Sequence, residues 1–172
     1  RWRIEHAQVL NENDFSYFKN YHIIPSIQPT HATSDMYWAK DRLGEKRLKY
    51  AYAYKTLLDT VGIIALGTDF PVEDIAPVKT FYAAVERKDS KGFPSQGFQK
   101  ENALSRREAL KGMTIWAACA GFEENEKGSL EPGKYADFIV LDTDLMTCEA
   151  EDILKTQVVF TFLNGEKVFS KP

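Results

Sequence analysis

The first 120 residues alternate short apolar segments with segments in which hydrophobic residues recur at helical spacing. The apolar segments predict three strands, at residues 2–7, 23–28 and 63–67. Helical patterns connect them, so we expect the three strands to be parallel. Pro25, inside the second segment, argues against a central strand there, because proline donates no hydrogen bond to a ladder.

Helical spacing is clearest in residues 45–59, where Tyr54 and Leu57 belong to one apolar face. Gly62 suits the position just past the end of this helix. The remaining patterns predict helices at residues 13–20, after Pro77, and from the capping-box sequence at Ser105 to about Ala120. Two stretches rich in polar residues or glycine are predicted to be loops, at residues 29–35 and 88–104.

The pattern changes near residue 121. Beyond it, strands are predicted at residues 136–141, 157–163 and 167–169, and Asn164-Gly165 is a strong hairpin signal. We therefore predict two units, a strand–helix unit over residues 1–120 and a small antiparallel β module over residues 121–172. Three parallel strands alone would leave unpaired edges, so we expect something outside this chain to complete the first unit.

Composition narrows the class of protein. Of 172 residues, 44% are hydrophobic and 27% charged, which is typical of a soluble globular protein, and the net charge is −3. Lys and Arg are dispersed, which argues against a nucleic-acid partner or an anionic membrane surface. Cys119 and Cys148 form no closely spaced pair and are expected to be reduced thiols. A cytoplasmic location is favoured, with a periplasmic or secreted one left open.

Two residues near the ends of predicted strands could carry chemistry. His6 ends the first strand and Asp69 follows the third, and in a parallel α/β barrel the site lies at the carboxyl ends of the strands. Imidazole is a common zinc ligand, and a carboxylate at an apolar strand end is costly unless it is paired or metal-bound. Spacing alone slightly favours a hydrogen-bonded core histidine for His6. For Asp69 it does not separate a metal or proton-transfer role from a turn residue or helix cap.

His31 and Gln28 are candidates for substrate contact, because they lie at and beyond the end of the second strand. A solvated loop histidine is at least as good an interpretation of His31. His22 precedes its strand and would lie at the opposite end of the barrel, so it is expected to be structural. Asp137, in the β module, is expected to be a structural carboxylate held by backbone groups.

Four segments, in this order, resemble the C-terminal part of the amidohydrolase superfamily, and most closely the YtcJ-like group, which includes N-substituted formamide deformylase. They are Arg3–Gln8, Ser26–Pro29, Leu66–Val72 and Gly128–Asp142. The resemblance implies the C-terminal portion of a (β/α)8 TIM barrel, with strands six to eight present here. It also implies that the β module is half of a small composite antiparallel β-sandwich.

The resemblance further implies that His6 is a metal ligand and that Asp69 binds metal and acts as general base. The other family ligands would lie upstream of Arg1, so this chain would hold an incomplete ligand set for one or two divalent ions, zinc before others. The implied reaction is hydrolysis of a C–N bond in a small amide-type substrate. The alternative is a non-catalytic scaffold or interaction fragment without metal. The implied partner is the N-terminal remainder of the barrel or a second copy of the chain.

Overall fold

The structure, a computed structural model that describes residues 1–172, begins with a three-stranded parallel sheet. Its strands are β1 (Arg3–Glu5), β2 (Ile24–Ile27) and β3 (Ala65–Leu66), in the order β1-β2-β3. Arg3 pairs with Ile24, and Ser26 pairs with Ala65. The predicted parallel arrangement is therefore confirmed, and β1 and β3 form the two edges of the sheet within this chain.

Pro25 does belong to the central strand, despite its missing donor. The neighbouring residue, Ile24, donates its backbone N–H to the carbonyl oxygen of Trp2 at 2.9 Å, on the β1 side. Backbone groups alternate between the two sides of a strand, so the nitrogen of Pro25 points towards β3. Pairing with β3 starts only at Ala65, opposite Ser26. The missing N–H of Pro25 therefore costs the sheet few hydrogen bonds.

The helices of this part pack around the sheet, and none is long and apolar enough to cross a membrane. The core between them contains Ile27, Leu57, Ile64 and Phe81, each at most 1% exposed. The helices are α1 (Phe15–Asn20), α2 (Pro29–Asp35), α3 (Ala39–Leu48), α4 (Tyr54–Val61), α5 (Pro77–Glu86), α6 (Arg106–Met113) and α7 (Ile115–Ala120), with 3-10 turns at Glu12–Asp14 and Lys100–Asn102.

Residues 29–35, predicted to be a loop, form helix α2. Gln28 is extended at its N-terminal boundary and Pro29 occupies the first turn. Proline is well suited there, because its fixed φ matches the helix and its missing N–H would have no partner inside the helix. The prediction was wrong because it gave the polar composition more weight than this position. Since α2 starts directly after β2, His31 is held by a helix rather than by a flexible loop.

The long helix predicted over residues 45–59 is two helices, α3 and α4. The break lies where the chain meets a distant segment: Tyr52 donates its backbone N–H to the carbonyl oxygen of Gln8 at 2.7 Å, and Ala51 bridges to Val9. Tyr52 has a left-handed φ of 54°. A long-range hydrogen bond therefore overrides the local periodicity, and it places Tyr52 beside the end of β1.

The capping box at the start of α6 is confirmed. Ser105 accepts a hydrogen bond from the backbone N–H of Glu108, and the Glu108 carboxylate accepts one from the backbone N–H of Ser105. The helix does not continue to Ala120 as predicted, because Thr114 leaves helical geometry and separates α6 from α7.

The C-terminal part contains an antiparallel sheet of β4 (Phe138–Leu141), β5 (Val158–Leu163) and β6 (Glu166–Ser170). The hairpin turn at Asn164-Gly165 is confirmed, with φ values of 50° and 81°. A short helix that the sequence did not predict, α8 (Ala150–Ile153), inserts Ile153 into the core described above. Residues after 121 therefore contribute to that core, and the boundary near residue 121 stays a prediction.

Candidate metal centre

The ends of β1 and β3 bring His6 and Asp69 to the same edge of the parallel sheet. His6 follows the last residue of β1, and Asp69 lies three residues beyond β3. Both have left-handed backbone conformations, with φ of 67° at His6 and 60° at Asp69. Such conformations cost roughly 1–3 kcal/mol each for residues other than glycine and tend to occur at functional sites. The chain therefore turns sharply at both positions and presents the two side chains at the strand ends.

His31 joins these two residues from the first turns of α2. One ligand atom from each of His6, His31 and Asp69 can be chosen so that all three lie within 4.8 Å of one another. The two imidazole rings stack with their centroids 5.3 Å apart and their planes 16° from parallel. The structure thus brings together both predicted metal ligands and one predicted substrate contact.

The hydrogen bonding of His31 is unequal at its two ring nitrogens. Nδ1 lies 3.0 Å from Oε1 of Gln8. Nε2 lies 3.3 Å from Oδ2 of Asp69, but the alignment is not that of a hydrogen bond, and Nε2 is a buried atom without a hydrogen-bond partner. His31 as a whole is 8% exposed. A buried polar atom without a partner is costly, so this nitrogen requires an explanation.

Gln8 is itself held by two further residues. Its Nε2 donates a hydrogen bond of 2.7 Å to Oδ2 of Asp35, and the hydroxyl of Tyr52 donates one of 2.9 Å to the same oxygen. Burial raises the pKa of Tyr52 above its usual range, and the hydrogen bond to Asp35 raises it further. The phenol therefore stays protonated and can act as the donor to Asp35.

The residues of this site surround an open cleft of about 450 Å³. Three of its side chains are carboxylates, Asp35, Asp69 and Glu73, and no lysine or arginine lines it. The remaining lining residues are His6, Gln8, His31 and Val72. A cleft with this lining favours a cation over an anion.

The two imidazoles and one carboxylate fit a divalent metal. Imidazole nitrogens and carboxylate oxygens are common ligands of divalent transition metals in proteins. The unpartnered Nε2 of His31 supplies an independent observation, since a cation beside it would give that buried atom the partner it lacks. His6, His31 and Asp69 are the residues that would hold the ion.

Gln28 is not among the residues that line this cleft. It occupies the position before the first residue of α2 without a capping hydrogen bond from its side chain. Its backbone oxygen accepts a hydrogen bond from the Tyr54 hydroxyl at 3.3 Å, and its side chain is buried with Oε1 unpartnered. The proposed substrate contact at Gln28 stays a prediction.

The two residues predicted to be structural lie away from the cleft. His22 is exposed and precedes β2, at the opposite edge of the sheet. Asp137 accepts a hydrogen bond of 2.7 Å from the backbone N–H of Asn164, as expected of a structural carboxylate held by the backbone.

Three residues of the site were missed from the sequence: Gln8, Asp35 and Tyr52. The positions of two of them held a usable signal. Gln8 is two residues after His6, and Asp35 is four residues after His31, the spacing at which two side chains share a helix face once α2 is recognised as a helix. Tyr52 gave no such signal, because its place depends on the break between α3 and α4.

The chain is similar in sequence to three known proteins. The chain is 35% identical over 170 residues to Protein LONG AFTER FAR-RED 3 of Arabidopsis thaliana, covering 98% of this chain and 29% of that protein. It is 32% identical over 169 residues to the putative amidohydrolase YtcJ of Bacillus subtilis, covering 98% of this chain and 32% of that protein. Identity to N-substituted formamide deformylase of Arthrobacter pascens is 31% over 114 residues, or 66% of this chain and 20% of that protein. The chain thus spans about a third or less of the length of these relatives.

Solved structures show the same relationship. A crystal structure described as an uncharacterized metal-dependent hydrolase from Pyrococcus horikoshii superposes with a TM-score of 0.75 at 33% identity, over 86% of this chain and 30% of that one. Escherichia coli guanine deaminase superposes with a TM-score of 0.64 at 21% identity, over 99% of this chain and 39% of that one, which shows the fold alone. The family described as the amidohydrolase family matches residues 1–169. This chain, with its α/β fold and its cluster of two histidines and one aspartate, belongs to the amidohydrolase family.

Proposed function

We propose that this chain is the C-terminal part of a metal-dependent hydrolase that cleaves C–N bonds of the amide or formamide type with water. The observation that carries the proposal is the convergence of His6, His31 and Asp69, whose ligand atoms lie within 4.8 Å of one another at the carboxyl ends of parallel strands. The name of one relative, N-substituted formamide deformylase, supports the substrate class.

In this proposal β1, β2 and β3 are strands six, seven and eight of a (β/α)8 barrel. Two observations support it: the edge strand β1 carries apolar side chains that are open to solvent, Trp2 at 79% and Ile4 at 42%, and relatives extend well beyond the matched region. The sheet of β4, β5 and β6 would be half of a composite sandwich, since Ile139 and Leu163 are 52% and 58% exposed. The remainder of the full-length protein, or a second copy of this chain, would cover these surfaces.

The residues of the cleft have distinct roles in the proposed reaction. A divalent cation, zinc before others, would polarise the substrate carbonyl and make water more acidic. Asp69 accepts a proton from the attacking water while the oxygen of that water bonds to the carbonyl carbon. When the C–N bond breaks, Asp69 returns that proton to the leaving nitrogen, and the products are a carboxylic acid and an amine.

The acidic lining of the cleft bears on the choice of substrate. With Asp35 and Glu73 beside Asp69 and no basic residue in the lining, an anionic substituent close to the scissile bond would be repelled. A neutral or aromatic N-substituent would not. We therefore expect neutral N-substituted amides and formamides to be hydrolysed in preference to their carboxylate analogues.

A non-catalytic scaffold is the competing function, and the exposed apolar edge at Trp2 and Ile4 favours it. Such a scaffold needs no cation. The unpartnered, buried Nε2 of His31 facing Asp69 favours the hydrolase, because a purely structural histidine would be expected to have a partner at both nitrogens.

The test uses the full-length protein that contains these residues. Its metal content is measured by mass spectrometry, and turnover is measured on a panel of N-substituted formamides and acetamides, with esters of the same acyl groups alongside. We expect at least one divalent ion per chain, loss of turnover on chelation, recovery with Zn²⁺, and His22→Ala as a control that behaves like the wild type. Metal content at background level together with chelator-insensitive turnover would exclude the proposal.

A further inference from the structure

We infer that His31 is a third ligand of the cation, and that Gln8 is the residue that positions it. This inference rests on the proposed function and deepens it, because spacing and family resemblance pointed to His31 only as a substrate contact. The observations are the chain of hydrogen bonds from Tyr52 through Asp35 and Gln8 to His31, and the state of the nitrogen at its far end.

The chemistry of the four residues determines which group donates and which accepts in each of these hydrogen bonds. An ionised carboxylate can only accept hydrogen bonds, so Tyr52 and Gln8 both donate to Oδ2 of Asp35. The amide nitrogen of Gln8 must therefore face Asp35, since the opposite orientation would set a carbonyl oxygen against a carboxylate oxygen. Consequently Oε1 of Gln8 faces Nδ1 of His31, at 3.0 Å.

This orientation selects one tautomer of His31. Because Oε1 of Gln8 can only accept, Nδ1 of His31 must carry the hydrogen. In the neutral ring Nε2 then carries a lone pair. Metal-ligating histidines characteristically donate their other ring N–H to an oxygen in this way, which fixes both the tautomer and the orientation of the ring.

The lone pair on Nε2 meets Asp69. The two atoms, His31 Nε2 and Asp69 Oδ2, are 3.3 Å apart, and both can only accept, so the pair is unfavourable without a positive charge between them. Two ligands of a tetrahedral zinc ion, each at about 2.0–2.1 Å from the metal, are about 3.4 Å from each other. The observed separation therefore matches two atoms that share one cation.

Burial adds to the argument. His31 is 8% exposed, and its Nε2 is a buried atom with no hydrogen-bond partner in the protein. His6, whose ring stacks on that of His31, supplies the second imidazole. His31 would thus join His6 and Asp69 as a third ligand supplied by this chain.

The experiment measures Zn²⁺ affinity of the full-length protein by competition with a chromophoric chelator. His31→Ala and Gln8→Leu are compared with two controls that remove the same residue types from exposed positions, His22→Ala and Gln157→Leu. We expect Gln8→Leu to bind Zn²⁺ about 10–100-fold more weakly, as is usual when the hydrogen-bond partner of a ligating histidine is lost. His31→Ala should lose at least as much, and both controls should match the wild type.

A second readout separates positioning from a merely structural effect. In Gln8→Leu, kcat should recover towards the wild-type value when Zn²⁺ is raised to saturation, because the ligand is still present and only its orientation is less well held. Circular dichroism and thermal melts show whether each variant folds. If His31→Ala does not fold, Gln8→Leu alone carries the test, and wild-type affinity in that variant overturns the positioning role.

The outcomes distinguish this inference from the proposed function. Wild-type Zn²⁺ affinity in His31→Ala, with a raised KM for substrate, would make His31 a substrate contact and overturn the inference while leaving the hydrolase intact. Unchanged affinity without any change in KM would make His31 a structural residue, and would overturn the inference as well. Absence of Zn²⁺ binding by the wild-type protein would overturn both this inference and the proposed function.

Discussion

Gly112 on helix α6 packs directly against Leu66, the last residue of β3. A Cβ atom at Gly112 would lie 2.6 Å from Cγ of Leu66 and 3.3 Å from the backbone oxygen of Ile64. The helix can approach the strand this closely only because residue 112 has no side chain. The strand held in this way ends three residues before Asp69, so the contact helps to set the position of the carboxylate.

Gly112→Ala is therefore expected to destabilise the protein. Overpacking of this kind costs about 1–3 kcal/mol, which exceeds the gain of up to about 1 kcal/mol in helix propensity. The measurement is the thermal midpoint of the full-length protein, with Leu66→Ala and the double variant completing a cycle. Since Leu66→Ala removes the side-chain atoms that the added methyl group would meet, the double variant should be more stable than the sum of the single effects predicts. Strict additivity would show that the contact is not tight.

Asp69→Asn is expected to abolish turnover without unfolding the protein. Asparagine cannot take a proton from water, and loss of a general base costs about 10²–10⁴-fold in rate. The left-handed φ of 60° at this position is one that asparagine tolerates well. The measurement is kcat on the amide panel, alongside the thermal midpoint. Turnover close to wild type in a folded variant would remove Asp69 from the proposed mechanism.

The sequence was sufficient to predict the parts of the site that depend on strand ends. His6 and Asp69 each stand near the end of an apolar segment, and helical connections make the strands parallel, so their meeting at one edge follows from local patterns. The same holds for the capping box at Ser105 and the hairpin at Asn164-Gly165. In each case residues that are close in sequence determine the outcome.

The remainder of the site depends on contacts between distant residues. Gln8 hydrogen-bonds to Asp35, 27 residues away, and Tyr52 reaches the same carboxylate from 17 residues away. The placement of Tyr52 requires the break between α3 and α4, which a tertiary hydrogen bond imposes against a continuous helical pattern. Helical periodicity carries no information about such a bond, so the predicted single helix and the missed Tyr52 have one cause.

Tyr52→Phe tests the outer end of this network. It removes one of the two donors to Asp35 but leaves the hydrogen bond from Gln8, so the orientation of the amide is weakened rather than lost. One hydrogen bond to a charged group contributes about 1.5–3 kcal/mol. Only part of this energy bears on the orientation of His31, because Gln8 and Asp35 lie between the two residues. We expect Zn²⁺ affinity to fall by less than in Gln8→Leu. A larger loss than in Gln8→Leu would contradict the proposed hydrogen-bond network, in which Gln8 contacts His31 directly and Tyr52 does not.

Because Tyr54 is buried, we expect the protein to lose stability at alkaline pH. Burial raises the pKa of its phenol well above the ordinary value of 10.0. Because the folded state holds the proton more tightly than the unfolded state, this stability is fully present below pH 10 and is lost as pH rises through the folded-state pKa, at about 1.4 kcal/mol per pH unit. Urea unfolding at pH 8–11 should show a steeper decline for the wild type than for Tyr54→Phe.

The comparison with Tyr54→Phe is needed because Arg87 acts with the opposite sign. Burial lowers the pKa of its guanidinium to about 10, so any contribution from Arg87 would raise stability as pH increases. The ring of residue 54 that faces Arg87, 5.1 Å from the guanidinium carbon, is kept in phenylalanine. The difference between the two slopes therefore reports the tyrosine together with its electrostatic coupling to Arg87. Equal slopes would mean that Tyr54 titrates normally in the folded protein.

Asp137→Ala should loosen the β hairpin without affecting the metal centre. Asp137 accepts the backbone N–H of Asn164 at 2.7 Å, at the turn where Asn164 has a φ of 50°. Removing this acceptor leaves the turn with one fewer tie to β4, and amide hydrogen exchange along β5 and β6 should speed up several-fold. Asp137→Asn keeps an oxygen in the same place and is the matched control. Since Asp137 does not line the cleft, Zn²⁺ affinity should be unchanged in both variants, and weakened binding in Asp137→Ala would show that the β module and the metal centre are coupled.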